Sequence, residues 1–159
     1  MIRKVLFVLA PAMLITSACG GGIRDALNVE HPIQNESYWA HDFPEGTQAA
    51  NAAIAAGAVQ YGEMLAFMKV YLIDHDWVIA RNHYGVITNR WANVEAFYKV
   101  KSGELAGRCF RARYLLNEDE QGGQWSKPVL QPNNSSFLCP GSSVCRVNCD
   151  QVASLPGPG

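Results

Sequence analysis

Around Asp74 and His75 the spacing of apolar residues changes from a helical period to alternation, and the two patterns demand different secondary structure. On the N-terminal side Ile54, Ala58, Tyr61, Leu65, Met68 and Leu72 follow at intervals of four, three, four, three and four. That spacing places all six on one face of a helix. Alanines at 49, 50, 52, 53, 55, 56 and 58 add the highest helix propensity, and Thr47 suits the N-cap. A helix is therefore predicted over 47–73, long or broken near Gly62, because Gly57 and Gly62 each cost about 1 kcal/mol relative to Ala. Val59, Met64, Phe67, Val70 and Tyr71 flank the stripe, so the helix needs cover on more than one side or a partner.

On the C-terminal side Trp77, Ile79 and Arg81 alternate with Val78, Ala80 and Asn82. A three-residue turn at His83-Tyr84-Gly85 then sets Trp77 opposite Trp91 and Ile79 opposite Asn89. Val94, Ala96, Tyr98 and Val100 alternate with Glu95, Phe97, Lys99 and Lys101, and Ser102-Gly103-Glu104 closes a second hairpin. With that loop Val100 pairs with Ala106, Tyr98 with Arg108, Ala96 with Phe110 and Val94 with Ala112; on the other face Glu95 meets Arg111 and Phe97 meets Cys109. Residues 124–131 read as one more strand, held to an edge or bulge because Pro128 donates no ladder bond. The fold class expected is α+β: a long or broken Ala-rich helix packed on a four- to five-stranded antiparallel meander, with a disulfide-clamped C-terminal tail.

Arg3 and Lys4 are the only charges before position 20; residues 5–15 are apolar apart from the bend at Pro11, and small Thr16, Ser17 and Ala18 precede Cys19. This is the layout of a secretory signal. Thr16-Ser17-Ala18-Cys19 resembles the lipobox of bacterial lipoproteins, with Thr16 where Leu is usual. The resemblance implies cleavage before Cys19 and acylation of Cys19. With Gly20 rather than Asp next, it also implies an outer-membrane lipid anchor facing the periplasm. An ordinary signal peptide that leaves Cys19 as a thiol is the alternative.

Removing 18 of 159 residues leaves 141, a size suited to one domain. It also takes Lys+Arg from 13 to 11 against 14 Asp+Glu, so the net charge moves from −1 to −3. Such a chain has no basic footprint for nucleic acid. No later apolar run reaches the ~20 residues of a spanning helix, which leaves membrane attachment to lipid. The expected division is 1–18 signal, 19–46 lipidated cysteine and tether arm beginning Gly20-Gly21-Gly22, 47–131 α+β domain, and 132–159 cysteine-containing tail. The end of that tail, Leu155-Pro156-Gly157-Pro158-Gly159, is expected to be disordered.

Beyond Cys19 four cysteines remain, Cys109, Cys139, Cys145 and Cys149. An even number in an exported chain points to two disulfides. Three connectivities exist; Cys109 with Cys149 and Cys139 with Cys145 is preferred, since Pro140-Gly141 can turn the short loop. A zinc site is disfavoured by the lack of paired CxxC spacing, and no metal or cofactor is expected. His75 and His83 lie at opposite ends of one short strand, more than ~20 Å apart at ~3.3 Å per residue, too far to share a metal. No GxSxG, HExxH, GxGxxG or GxxxxGK[ST] occurs, so no catalytic residue is nominated. Arg108 stands alone as a charge on an apolar face; the first reading is that it marks the sheet's end, where its head reaches water, and the functional reading is that with Tyr98 and Phe110 it lines a cleft under the helix, for an anionic group or a partner's carboxylate.

These features favour a non-enzymatic lipoprotein serving as accessory or structural partner in an envelope assembly of secretion, conjugation or pilus type. A periplasmic binding or inhibitory lipoprotein is the alternative, and a hydrolase or isomerase the third reading. A helix followed by a curved sheet is also the order of NTF2-like domains, some of which serve in secretion machines, an analogy of fold alone.

Overall fold

The computed structural model describes residues 27–33, 39–60, 62–135, 138–139 and 142–157. The signal and lipidation site within 1–19, the Gly20-Gly21-Gly22 spacer, the Pro140-Gly141 turn and Pro158-Gly159 lie outside those residues.

Two long central strands organise the sheet: β3 (Ile87–Val100) and β4 (Cys109–Asp119) pair antiparallel from Asn89↔Asp119 to Lys99↔Cys109. The outer edge of each is covered by two short strands laid end to end. β1 (Leu65–Leu72) pairs with residues 94–100 of β3 and β2 (Val78–Arg81) with 87–91. β5 (Val129–Pro132) pairs with 114–117 of β4 and β6 (Val144–Val147) with 109–112. Every one of these pairings is antiparallel.

The α+β expectation of a long or broken helix over 47–73 is overturned: the chain is mostly antiparallel sheet with one substantial helix, α1 (Pro44–Ala55). Pro44 occupies its first turn, where the missing N–H costs nothing, and Thr47 lies inside it rather than at its cap. Gly57 then takes φ +65° and its N–H reaches Ile54 O, while Ala58 N–H reaches Ala53 O. That pair of bonds is a Schellman motif, which stops the helix. Val59 next forms a parallel bridge to Leu130 at the edge of β5, a 3₁₀ turn spans Gly62–Met64, and Leu65 onward is β1.

One face of the sheet packs on α1. Ala50 and Ala53 are fully buried there, and their small side chains bring the helix close to Leu72, Val94, Ala96, Ala112 and Leu116. Gly46 meets the Phe43 ring, which a Cβ would approach to 2.5 Å, so the helix start is open to Phe43 only because position 46 lacks a side chain. Phe43 meets Trp77 edge on at 5.5 Å, and Arg90 lies between the rings of Trp77 (4.2 Å) and Trp125 (4.5 Å). Arg90 also pairs with Glu118 at 2.6 Å and with Glu45 of α1 at 2.9 Å, so one guanidinium joins helix, loop and sheet.

The opposite face is closed at one end only. There Trp39 stacks on Tyr71 at 3.7 Å, Phe97 meets both edge on, and Val147, Val152 and Leu155 complete a second cluster. Val152 belongs to α2 (Cys149–Ser154), whose cap Asn148 accepts from the Asp150 and Gln151 amides. The terminal residues expected to be disordered are therefore partly docked: Leu155 is buried, and the Tyr71 hydroxyl donates to Pro156 O.

Both hairpins differ from their predicted registers. In the first, Val78 rather than Trp77 opposes Trp91, a one-residue shift that sends Trp77 to the α1 face and leaves Trp91 on the other. The turn itself is the expected one, His83-Tyr84-Gly85: Asn82 N–H donates to Val86 O across it, Asn82 Oδ1 accepts from the Tyr84 and Val86 amides, and Arg81 opposes Ile87. The shift arises beyond it, at an irregularity between Ala80 and Arg81 that leaves Thr88 as an extra residue on β3. In the second, Tyr98 opposes Phe110, Ala96 opposes Ala112 and Glu95 opposes Arg113, a shift of two. Here the loop runs from Lys101 to Gly107 and uses positive φ at Gly103 and Gly107.

Candidate functional site

The uncovered part of the second sheet face forms a groove of about 660 Å³. Its floor follows from strand alternation: Asn89, Trp91 and Asn93 of β3 and Arg113, Leu115 and Asn117 of β4 all project to this side. Gln131 of β5 and then Asn133 and Ser135 form one wall, and Ile73 lies at the other. The amides bond among themselves. Asn89 Nδ2 donates to Asn117 Oδ1 at 3.1 Å, and Asn133 Nδ2 donates to Asn93 Oδ1 at 3.0 Å. Asn93 in turn gives its backbone N–H and its Nδ2 to Asp74 Oδ2, at 2.6 and 3.0 Å, and Ser135 donates to Asn133 Oδ1.

Beneath the end of the groove Glu95 has no exposed surface. Arg111 grips it with two bonds, Nε to Oε1 at 2.6 Å and Nη2 to Oε2 at 3.1 Å, and Arg113 Nε approaches Oε2 to 4.0 Å. This ion cluster separates the apolar end under α2 from the amide-lined groove.

The predicted trio does not assemble. Tyr98 and Phe110 project to the α1 side and line a separate pocket of about 420 Å³ at the end of the sheet, with Leu27, Leu65 and Leu105. Arg108 lies outside the strand ladder because of the two-residue shift, and its Nη1 is 3.5 Å from Asn28 Oδ1. Burial pushes the Tyr98 phenol well up, helped by Tyr114, and pushes Tyr114 up to about 12. These rings are core rather than titrating surface groups.

Cys109 and Cys149 are joined, as are Cys139 and Cys145. The first bridge ties α2 to the start of β4. His75 Nδ1 lies 2.6 Å from Asp42 Oδ1 at the surface, a bond that holds the Asp42 carboxyl below its usual range. Among the described residues no three His, Cys, Asp or Glu side chains gather as a metal site, and no helix is long and apolar enough to cross a membrane. At the far end of β3 the β2–β3 hairpin presents Val78, Ile79, Tyr84 and Val86 to solvent, with Tyr84 80% exposed.

Sequence reasoning missed the groove residues Asn89, Asn93, Asn117, Gln131 and Asn133. The signal was the alternation Asn89, Trp91, Asn93, Glu95 on one side of β3; it carries no information on how far β4 runs, and β4 reaches Asn117, which opposes Trp91 and meets Asn89 on the diagonal. The sequence matches no family model, and no curated protein or solved structure shows significant similarity to it.

Proposed function

We propose that this chain is a lipoprotein of the bacterial outer membrane that faces the periplasm, anchored through acylated Cys19, and that it works without catalysis by holding a ligand in the groove on its sheet face. The anchor rests on the lipobox-like Thr16-Ser17-Ala18-Cys19. The binding reading is carried by the chemistry of the lining: side-chain amides hold ligands but exchange no protons at ordinary pH, and the one carboxylate under the floor, Glu95, is fully buried and gripped by Arg111. Native mass spectrometry of the full chain released from envelopes in mild detergent tests it. A bound mass present on the wild type and lost from Trp91→Ala supports the reading. Identical spectra from the two proteins, with no bound species, reject it. Labelled palmitate entering the wild type but not Cys19→Ala checks the anchor.

A second reading, an accessory partner in a secretion, conjugation or pilus assembly, is favoured by a different observation. The surplus apolar surface assigned to the helix lies largely within the sheet instead, but the β2–β3 hairpin exposes Val78, Ile79, Tyr84 and Val86 over its two faces and its tip. Crosslinking in intact envelopes would recover a partner that Tyr84→Ser with Val86→Ser loses; recovery of a lone monomer counts against it.

A further inference from the structure

We propose that the groove takes a neutral glycan, its hydroxyl and acetamido groups bonded by the side-chain amides of Asn89, Asn117 and Gln131. This rests on the groove being a binding site and names the chemical class it receives. The floor is the face of a sheet whose backbone groups are engaged in the β3–β4 and β4–β5 ladders. An extended peptide bound through its backbone needs a free strand edge, so a ligand lying here is read by side chains alone.

Those side chains have a specific complement. The Asn89 to Asn117 bond uses one N–H of Asn89 and the carbonyl of Asn117. Among the described residues this leaves Asn89 Oδ1 as an acceptor and both N–H groups of Asn117 Nδ2 as donors, with no protein group engaging them. Gln131, exposed on the wall, adds a further donor and acceptor. An amide sets donor and acceptor side by side, and neighbouring sugar hydroxyls or an acetamido group present the same pairing in return. Between the amides Trp91 and Leu115 supply apolar surface suited to the C–H groups of a sugar ring.

Charge argues for neutrality. Arg113 is the one ionic side chain in the lining, and it approaches Glu95 to 4.0 Å. Asp74 behind Asn93 is bonded by both the amide and the side chain of that residue. A ligand without charge avoids the cost of desolvating an ion against these pairs. The volume, about 660 Å³, lies in the range of small-ligand sites.

Titration calorimetry of the full chain in detergent, with N-acetylchitotetraose and with cellotetraose as probes, tests the assignment. Binding is expected, and Asn117→Ala and Gln131→Ala should each weaken it about tenfold, the loss of one well-placed hydrogen bond. Preference for the acetylated sugar assigns the amides to acetamido groups; equal binding assigns them to hydroxyls. If Asn117→Ala destabilises the fold in a thermal melt, Gln131→Ala at its exposed position carries the comparison. Sugar binding that neither substitution weakens overturns the site. No binding of either sugar at millimolar concentration overturns the ligand class; a bound mass still lost from Trp91→Ala would then leave the binding reading standing with another ligand.

Discussion

A carboxylate with no exposed surface persists in a fold only when its charge is met at close range, and Glu95 is met by Arg111 in a two-bond grip and by Arg113 beside it. Removing the carboxylate's charge leaves Arg111 buried without its counter-ion. Glu95→Gln is expected to cost about 3–5 kcal/mol, read as a lower urea midpoint; an unchanged midpoint would show the cluster to be dispensable. The facing of Glu95 and an arginine was legible in the sequence, since the apolar alternation of the two strands puts Glu95 and Arg111 on the same face, and a change of the loop by an even number of residues leaves that unaltered. So was its bonding to Arg111, though the two are not the directly opposed pair that was expected. A two-residue shift preserves every face and changes every neighbour, so Arg113 stands opposite Glu95 and Arg111 reaches it on the diagonal. The same shift carries Arg108 past the last ladder pair to the sheet's end, where its backbone meets that of Val100 and its guanidinium approaches Asn28 Oδ1.

At the level of elements, the decisive event is the end of α1. Gly57 sits at φ +65°, and a side chain there would meet no atom within 4 Å, so the barrier to substitution is conformational rather than steric. Gly57→Ala is expected to lose about 1–2 kcal/mol with little change in helix content by circular dichroism. A variant more stable than the wild type would contradict the Schellman assignment. The helical spacing that runs on to Leu72 was misleading for a physical reason. The register of β1 slips between Phe67 and Lys69, so Leu65 and Phe67 share a face with Val70 and Leu72 rather than with Lys69. An alternation broken by one extra residue contains steps of three, which a helix also shows. The Ala-rich portion, by contrast, is helical where propensity placed it, because Ala50 and Ala53 satisfy both the helix and the tight contact with the sheet.

For the molecule as a whole, alkaline stability follows from the buried phenols. Tyr98 and Tyr114 have folded-state proton affinities raised above the ordinary phenol near pH 10, Tyr114 to about 12. The unfolded chain ionises first, so stability is complete below about pH 10 and is lost as pH rises through the folded values. An absorbance titration should show Tyr98 and Tyr114 ionising only as the fold melts, identified by comparing the wild type with Tyr98→Phe and Tyr114→Phe. Ionisation of all six tyrosines with an intact far-ultraviolet spectrum would refute their burial. The groove was the least legible feature, because it exists only where both hairpins, β5 and the 133–135 segment come together, and no single stretch of sequence contains it.

The end-to-end arrangement of β1 with β2 and of β5 with β6 has a consequence for how the molecule opens. Only β3 and β4 run through both ends of the sheet; β1, β6, α2 and the Cys109–Cys149 bridge flank one end, and β2 and β5, with no disulfide between described residues, flank the other. The hairpin end can lose its pairing while the bridged end stays closed, so amide protons of 78–91 should exchange with deuterated solvent well before those of 94–100. A single strand, β3, would then report two lifetimes along its length, and the groove, lying between them, would sense the faster one.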